Sequence, residues 1–249
     1  MNPLGWLPST NNCLQSLLCI DERAKRWYRS AHHNQSSIHM SYRKQLHRYF
    51  NVSQADPFYV IKWWVYVNIL DHGLLRAVYQ NFHRIDDQIY RSSQPTTFTL
   101  RKFASNGGKT VLSLRGSIEA PYWYQEEETC SRLGLTLHNI QLSATSAPDP
   151  HRLNELIDFL GKCPKPLLIH CKSGADRTGL ATFVYKTVFL QERFNKAKSA
   201  LGFRFLHNRF GKAGVLDEFI QTYRNDAQEL GLNFEEWLYT VYQQQKVYQ

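Results

Sequence analysis

The ten residues His170 to Gly179, HCKSGADRTG, place a thiol, a guanidinium and a glycine-containing loop in one short segment. Five residues separate Cys171 from Arg177, the apolar run PLLIH (Pro166 to His170) leads into them, and a helical pattern, RTGLATFVYKTVFL, begins at Arg177. A loop wrapped at the start of a helix aims several backbone N–H groups at one point and adds the positive end of the helix dipole, forming an anion cradle. Gly174 lets the backbone turn there without a Cβ clash. A Cys171 thiolate at the mouth of the cradle is stabilised by the N–H groups, the dipole and Arg177, which lowers its pKa below the free value of about 8.5 and makes it a nucleophile near neutral pH. Arg177 can grip two phosphate oxygens bidentately, which lysine cannot imitate. Lys172, Ser173, Gly174, Ala175 and Asp176 complete the phosphate-binding loop, with Lys172 adding a positive charge, and His170 and Thr178 support it. Thr178 is placed to hydrogen-bond the sulfur as it leaves.

Such a loop needs a strand to deliver the nucleophile and a helix to close the cradle, and the surrounding pattern supplies both. NFHRIDDQIYRSSQP reads as a hairpin about Asp86 and Asp87, with His83, Ile85, Ile89 and Arg91 alternating. Lys109 to Gly116, Leu135 to Leu142 and Pro166 to His170 are strand candidates; Ala120 to Leu133, Pro150 to Lys162 and the run from Arg177 onward have helical spacing. Strands alternating with helices predict an α/β domain with a largely parallel central sheet flanked by helices. The expected division is a basic, aromatic-containing extension over 1–78 with a helix near 58–80, then one catalytic domain over 79–249. The patterns VLDEFIQTYRNDAQELG and NFEEWLYTVYQQQ near the C-terminus are expected to be helices covering the sheet.

The whole chain has 249 residues, 43% of them apolar and 20% charged, which excludes disordered and fibrous classes. A formal charge of +9 favours anionic partners without choosing among phosphorylated substrates, nucleic acid and an acidic membrane surface. Five cysteines without a CxxC pair read neither as a disulfide framework nor as a zinc site and favour a reducing compartment. The N-terminal residues lack the order of a secretory signal. The apolar run Phe58 to Leu70 contains Lys62 and Asn68 and falls short of the roughly 17–25 residues of a spanning helix. It reads as a buried helix, with an interfacial membrane helix as the sharper alternative. Residues 1 to 56 mix basic and aromatic side chains. A solvated helical extension is the preferred reading, so nucleic acid is not the expected partner.

HCKSGADRTG, preceded in order by YRSSQP (Tyr90 to Pro95) and VLSLRG (Val111 to Gly116), resembles the Cys-x5-Arg signature of cysteine-dependent phosphatases. This is the protein-tyrosine and dual-specificity superfamily, in its bacterial dual-specificity-like branch, and the resemblance covers roughly residues 79 to 225. It implies phosphomonoester hydrolysis through a phosphocysteine on Cys171, with neither a metal nor another cofactor. It also implies a general acid, expected near Ser143 to Ser146, where no carboxylate stands. Asp176 is the first candidate, because the loop also resembles the Cys-x-x-Gly-x-Asp-Arg loops of myotubularin-like lipid phosphatases; a salt-bridging role is the alternative. Asp149, between Pro148 and Pro150, is the second, and an N-cap for the following helix is its plainer reading.

Arg91, Gln94 and Arg115 lie in family-like segments and are expected to line the cleft, although Arg115 with Glu119 reads equally as a fold-stabilising pair. His32, His33 and His138 read as structural or surface residues. Cys163 reads as an ordinary buried cysteine, with a disulfide partnership to an oxidised Cys171 as the sharper alternative. The implied substrates are phosphorylated proteins first and phospholipid or inositol phosphates second, in a cytoplasmic protein open to peripheral contact with an anionic membrane. The rivals are a catalytically weak phosphate-binding module, a sulfurtransferase of rhodanese type, and hydrolysis of RNA 5′-phosphates.

Overall fold

A computed structural model describes residues 79–116 and 120–244, with the isolated positions 58, 61, 62 and 65. The expected extension, most of the helix near 58–80, and His32, His33 and Glu119 lie outside the described residues. The chain divides into two compact units, one of residues 36–220 and one of residues 1–35 with 221–249.

In the larger unit the elements run β1 (His83–Arg84), β2 (Ile89–Ser92), α1 (Thr97–Ser105), β3 (Thr110–Ser113), α2 (Pro121–Arg132), β4 (Thr136–Asn139), α3 (Pro150–Lys162), β5 (Leu167–His170), α4 (Asp176–Val188) and α5 (Phe194–Lys198). Two 3₁₀ turns, Ser199–Leu201 and Phe203–Phe205, precede α6 (Gly214–Leu230), which begins in this unit. The sheet order is β1-β2-β5-β3-β4, with β1 antiparallel to β2 and every other pairing parallel. The expected hairpin and largely parallel sheet are therefore present. His170 pairs with Ser92 on one side and Ser113 on the other. The carboxyl ends of three strands thus finish together, at the edge where open α/β sheets bind ligands.

The central strands β3 and β5 are buried at every position, as strands between two covered faces must be. Leu100 and Phe103 of α1 and Cys130 of α2 pack with Val111, Leu135 and Leu168. Helix α3 buries Leu153, Leu156, Ile157 and Leu160, one stripe at helical spacing. Eight successive residues of α4, Thr178 to Tyr185, are buried, because this helix packs on β2, β5, α3 and α5 at once. The helix that carries Arg177 is thereby held fast. Helix α1 has no counterpart in the sequence pattern. Its N-cap Thr96 accepts from the Thr99 N–H at 3.2 Å, but Thr97 and Thr99 in its first turn obscure the helical stripe.

The second unit holds the end of α6, α7 (Phe234–Trp237) and a π-helical turn, Leu238–Tyr242. Its core is an aromatic cluster of Tyr223, Phe234, Trp237 and Tyr242, and the Trp237 indole N–H donates to Asp226 Oδ2 at 2.7 Å.

Candidate active site

Strand β5 delivers His170 and Cys171 into a loop that ends where α4 begins. Cys171 Sγ is almost wholly buried and accepts the Gly174 N–H at 3.3 Å. Burial pushes its pKa up. The Arg177 charge, the Thr178 hydroxyl and the Thr178 and Gly174 amides outweigh burial and lower it below its usual value. Those are the donors the cradle was expected to supply, and their sum favours the thiolate. Thr178 Oγ1, itself buried, makes no other hydrogen bond among the described residues. Arg177 Nη1 donates to the Leu114 carbonyl at 3.2 Å, while its buried Nε makes no hydrogen bond to a described residue. One edge of the guanidinium is thus fixed by the protein and a donor remains for an anion.

Gly174 is required twice over. Its φ of +74° lies in the left-handed region, and a Cβ there would stand 2.7 Å from the backbone of Ser92 and Ser93. The loop is pinned to β2 at this point. Arg91, wholly buried, completes the pin: its Nη2 donates to the Gly174 carbonyl at 2.7 Å and its Nη1 to the Ala200 carbonyl at 2.9 Å. Its guanidinium also stacks over the Phe205 ring at 3.8 Å. Burial pulls the Arg91 pKa down to about 10, against the opposing pull of Cys171 and Tyr79, so the cation persists at physiological pH. By holding a loop carbonyl outward, Arg91 leaves the loop N–H groups turned toward the sulfur. It therefore acts from beneath the loop rather than lining the cleft.

A second buried network holds the other side. Arg115 Nη1 donates to Gln94 Oε1 at 2.9 Å, and Gln94 Nε2 donates to Glu126 Oε2 at 2.8 Å. Glu126 Oε1 lies 2.8 Å from His170 Nε2, both side chains being inaccessible to water. The Gln94 N–H binds the Lys172 carbonyl at 3.2 Å. Arg115 stacks on Tyr122 of α2, its guanidinium 3.3 Å from the ring centroid. Gln94 and Arg115 thus reach the site as a relay to His170. Glu126, on which the relay turns, has no sequence signal beyond being one of three consecutive glutamates in α2.

Asp176 opens α4. Its Oδ1 accepts from His207 Nδ1 at 2.7 Å, and His207 Nε2 donates to Asp217 Oδ2 at 2.6 Å. Burial alone would lower the His207 pKa. The hydrogen bonds and charges of the two carboxylates raise it to about 9 instead. A protonated imidazole shared by two carboxylates therefore sits beside the phosphate loop. Asp149 caps α3, its Oδ1 accepting the His151 N–H at 2.9 Å, and it lies in the loop that leaves the carboxyl end of β4. Ser173 is exposed. Its carbonyl accepts from Asn81 Nδ2 at 3.1 Å, and the same amide nitrogen donates to the Phe205 carbonyl at 3.0 Å.

His138 stacks on Phe159 at 4.4 Å. Cys163 ends α3 and lies before β5, while Cys171 follows it. Four strand residues at roughly 3.3 Å each lie between them, which sets their Cα atoms farther apart than the roughly 7 Å a disulfide allows. Among the described residues no three His, Cys, Asp or Glu side chains are grouped to hold a metal ion, and no helix is long and apolar enough to cross a membrane.

A family model described as "DSP-PTPase phosphatase fused to NAD+ Kinase" matches residues 78–213, more than half of the chain. The chain belongs to this family. It is a cysteine-dependent phosphatase of the dual-specificity-like superfamily, acting on phosphorylated substrate. No curated protein matches the sequence. Among solved structures, P. aeruginosa TpbA in complex with phosphotyrosine is 18% identical, with a TM-score of 0.50 over 61% of this chain and 90% of that one. The core catalytic domain of the PP-IP phosphatase SIW14 from S. cerevisiae is 21% identical, with a TM-score of 0.47 over 61% of this chain and 93% of that one. Tk-PTP in its active form is 19% identical, with a TM-score of 0.46 over 57% and 97%. The TpbA likeness supports the α/β fold of the phosphatase; its function rests on the family match.

Proposed function

We propose that the phosphatase hydrolyses phosphomonoesters on proteins, phosphotyrosine foremost, through a phosphocysteine on Cys171. The observation that carries this reading is the Cys171 thiol, buried yet held toward its thiolate by Arg177, Thr178 and the loop amides. Sulfur attacks phosphorus as the ester P–O bond breaks, and the leaving oxygen takes a proton from a carboxylic acid. Arg177 and the amides of residues 172–177 hold the three remaining oxygens through the transition state. Water then attacks the phosphocysteine, the carboxylate takes its proton, and thiolate and inorganic phosphate are released. TpbA, solved with phosphotyrosine, supports an aryl ester as the first substrate to try. Free, buried Cys130, Cys163 and Cys171 support a reducing, cytoplasmic setting.

Of the two acid candidates, Asp149 is assigned the proton donor. It leaves the same end of the sheet as Cys171 and is tethered by one capping bond, whereas Asp176 is engaged by the His207 imidazolium. Asp176 is assigned the holding of the loop. A phosphoinositide or inositol phosphate substrate is the second reading, favoured by Lys172 in the loop and by the cations between Arg193 and Lys212.

Phosphate release from a panel of phosphotyrosine and phosphoserine peptides, phosphoinositides and RNA 5′-ends ranks the substrates. Acid quenching with labelled substrate should trap phosphate on Cys171, and Cys171→Ser should abolish release while retaining binding. Turnover that survives Cys171→Ser refutes the mechanism. Binding without turnover in the unaltered protein would identify a phosphate-binding module instead.

A further inference from the structure

The segment Phe203 to Lys212, FRFLHNRFGK, has two faces. Inward, the Phe205 ring lies under the Arg91 guanidinium, the Phe205 carbonyl accepts from Asn81, and buried His207 binds Asp176. Outward stand three large apolar side chains within eight residues: Phe203 at 86% exposure, Leu206 at 54% and Phe210 at 90%. Leu206, between inward Phe205 and His207, adopts a left-handed φ of 62°, a conformation unfavourable for a bulky residue. Folded chains ordinarily bury phenylalanine, so a cluster this exposed marks a surface that meets something apolar.

The cations identify what it meets. Arg204, Arg209 and Lys212 are exposed among the apolar tips, and Arg209 lies 5.2 Å from the centre of the Phe210 ring. From Arg193 to Leu216 there are six Lys and Arg and no Asp or Glu. Apolar tips interleaved with the exposed Arg204, Arg209 and Lys212 match the boundary of an anionic bilayer, where the tips enter the acyl region and the cations meet the head groups. A single-stranded nucleic acid calls instead for rings lining a groove, with one ring face backed by protein. Phe203 and Phe210 protrude.

We propose that Phe203, Leu206 and Phe210, with Arg204, Arg209 and Lys212, dock the phosphatase on an anionic lipid surface. Because Asn81 joins the Phe205 carbonyl to the Ser173 carbonyl, and His207 joins the same segment to Asp176, docking would hold the phosphate loop beside that surface. Such docking depends on the surface and not on which phosphoester is the substrate.

The test is sedimentation of the full chain with vesicles of phosphatidylcholine alone and of phosphatidylcholine with phosphatidylserine, a lipid that is not a phosphomonoester. Binding is expected only with phosphatidylserine present, equally in Cys171→Ser, so failure of the phosphatase reading would leave this result untouched. Phe203→Ala with Phe210→Ala should weaken it tenfold or more and leave turnover of a soluble aryl phosphate unchanged. If that pair loses turnover through misfolding, Arg209→Gln with Lys212→Gln decides: each cation near such a surface is worth about fivefold, so roughly twenty-five-fold weaker binding is expected. No vesicle binding by the full chain, or binding undiminished in these variants, overturns the proposal. So does tighter binding to single-stranded RNA, or self-association, that the same variants abolish.

Discussion

Replacing His207 by Gln removes the cation that, among the described residues, bonds both Asp176 and Asp217. In the folded protein the imidazolium persists to about pH 9, against 6.5 for a free histidine. That difference is worth about 3 kcal/mol of preference for the charged form. The two carboxylates are 24% and 21% exposed, so water screens part of it. About 1.5 kcal/mol is the contribution to stability we expect. Because the folded pKa is raised, the contribution is fully present below pH 6.5 and is lost as pH rises through about 9. Urea unfolding of the unaltered protein and of His207→Gln at intervals between pH 6 and 9.5 tests this. The gap between the two curves should narrow by about 1.5 kcal/mol toward the alkaline end. Cys171 titrates with the opposite sign over part of this range, since its thiolate is favoured in the fold, but it is common to both proteins and cancels in the difference. The loop should feel the change too. Without the imidazolium, Asp176 repels an incoming dianion, and phosphate should bind about fivefold more weakly, near 1 kcal/mol. A gap that stays constant across the pH range would refute the assignment of an imidazolium shared by two carboxylates.

Asp149→Asn should lower kcat at least tenfold for phosphotyrosine and alkyl phosphates while largely sparing p-nitrophenyl phosphate, whose acidic leaving group departs without a proton; Asp176→Asn should instead weaken stability and the binding of all of them. The opposite pattern would move the proton to Asp176. Arg91→Met removes a wholly buried cation bound to two backbone carbonyls, and thermal or urea unfolding should show a loss of about 2–4 kcal/mol together with slower turnover. Unchanged kcat in a folded Arg91→Met protein would show that the loop needs no support from below. Alkylation of Cys171 should follow a thiolate that forms below the ordinary thiol range, and Thr178→Val should shift that profile upward because one of its stabilising donors is gone. An identical profile in the two proteins would exclude the hydroxyl from thiolate stabilisation.

The parts of the site legible in the sequence are those that adjacent residues determine. Strand, turn and helix follow one another in PLLIHCKSGADRTGL, so the nucleophile, the glycine turn and the arginine were readable from local spacing. The parallel sheet followed from alternating periodicities. What escaped depends on contacts across the fold. His207 is 31 residues from Asp176, and Glu126 is 32 from Gln94; neither stands in a pattern that marks it. Arg91 was visible as a basic residue in a family-like segment, but whether it faces the cleft or lies beneath the loop is decided by the pairing of β2 with β5, which puts its guanidinium against Gly174 and Ala200.

The distribution of charge shows the same limit from another direction. Composition gave +9 and the loop motif accounts for Lys172 and Arg177, yet the acid-free run from Arg193 to Leu216 reads in sequence as an ordinary basic stretch with aromatics. Only the fold separates its residues into an inner set, Phe205 and His207, which brace the loop, and an outer set, Phe203, Leu206 and Phe210, which brace nothing in the described chain. The same ten residues therefore have to satisfy two requirements at once. Substitutions on the inner face should act on loop geometry and pH dependence, and those on the outer face on association alone. For Phe203→Ala and Phe210→Ala the outer effect should add to those of the inner face, whereas Arg204, whose guanidinium lies 5.8 Å from the centre of the Phe205 ring, should couple to it.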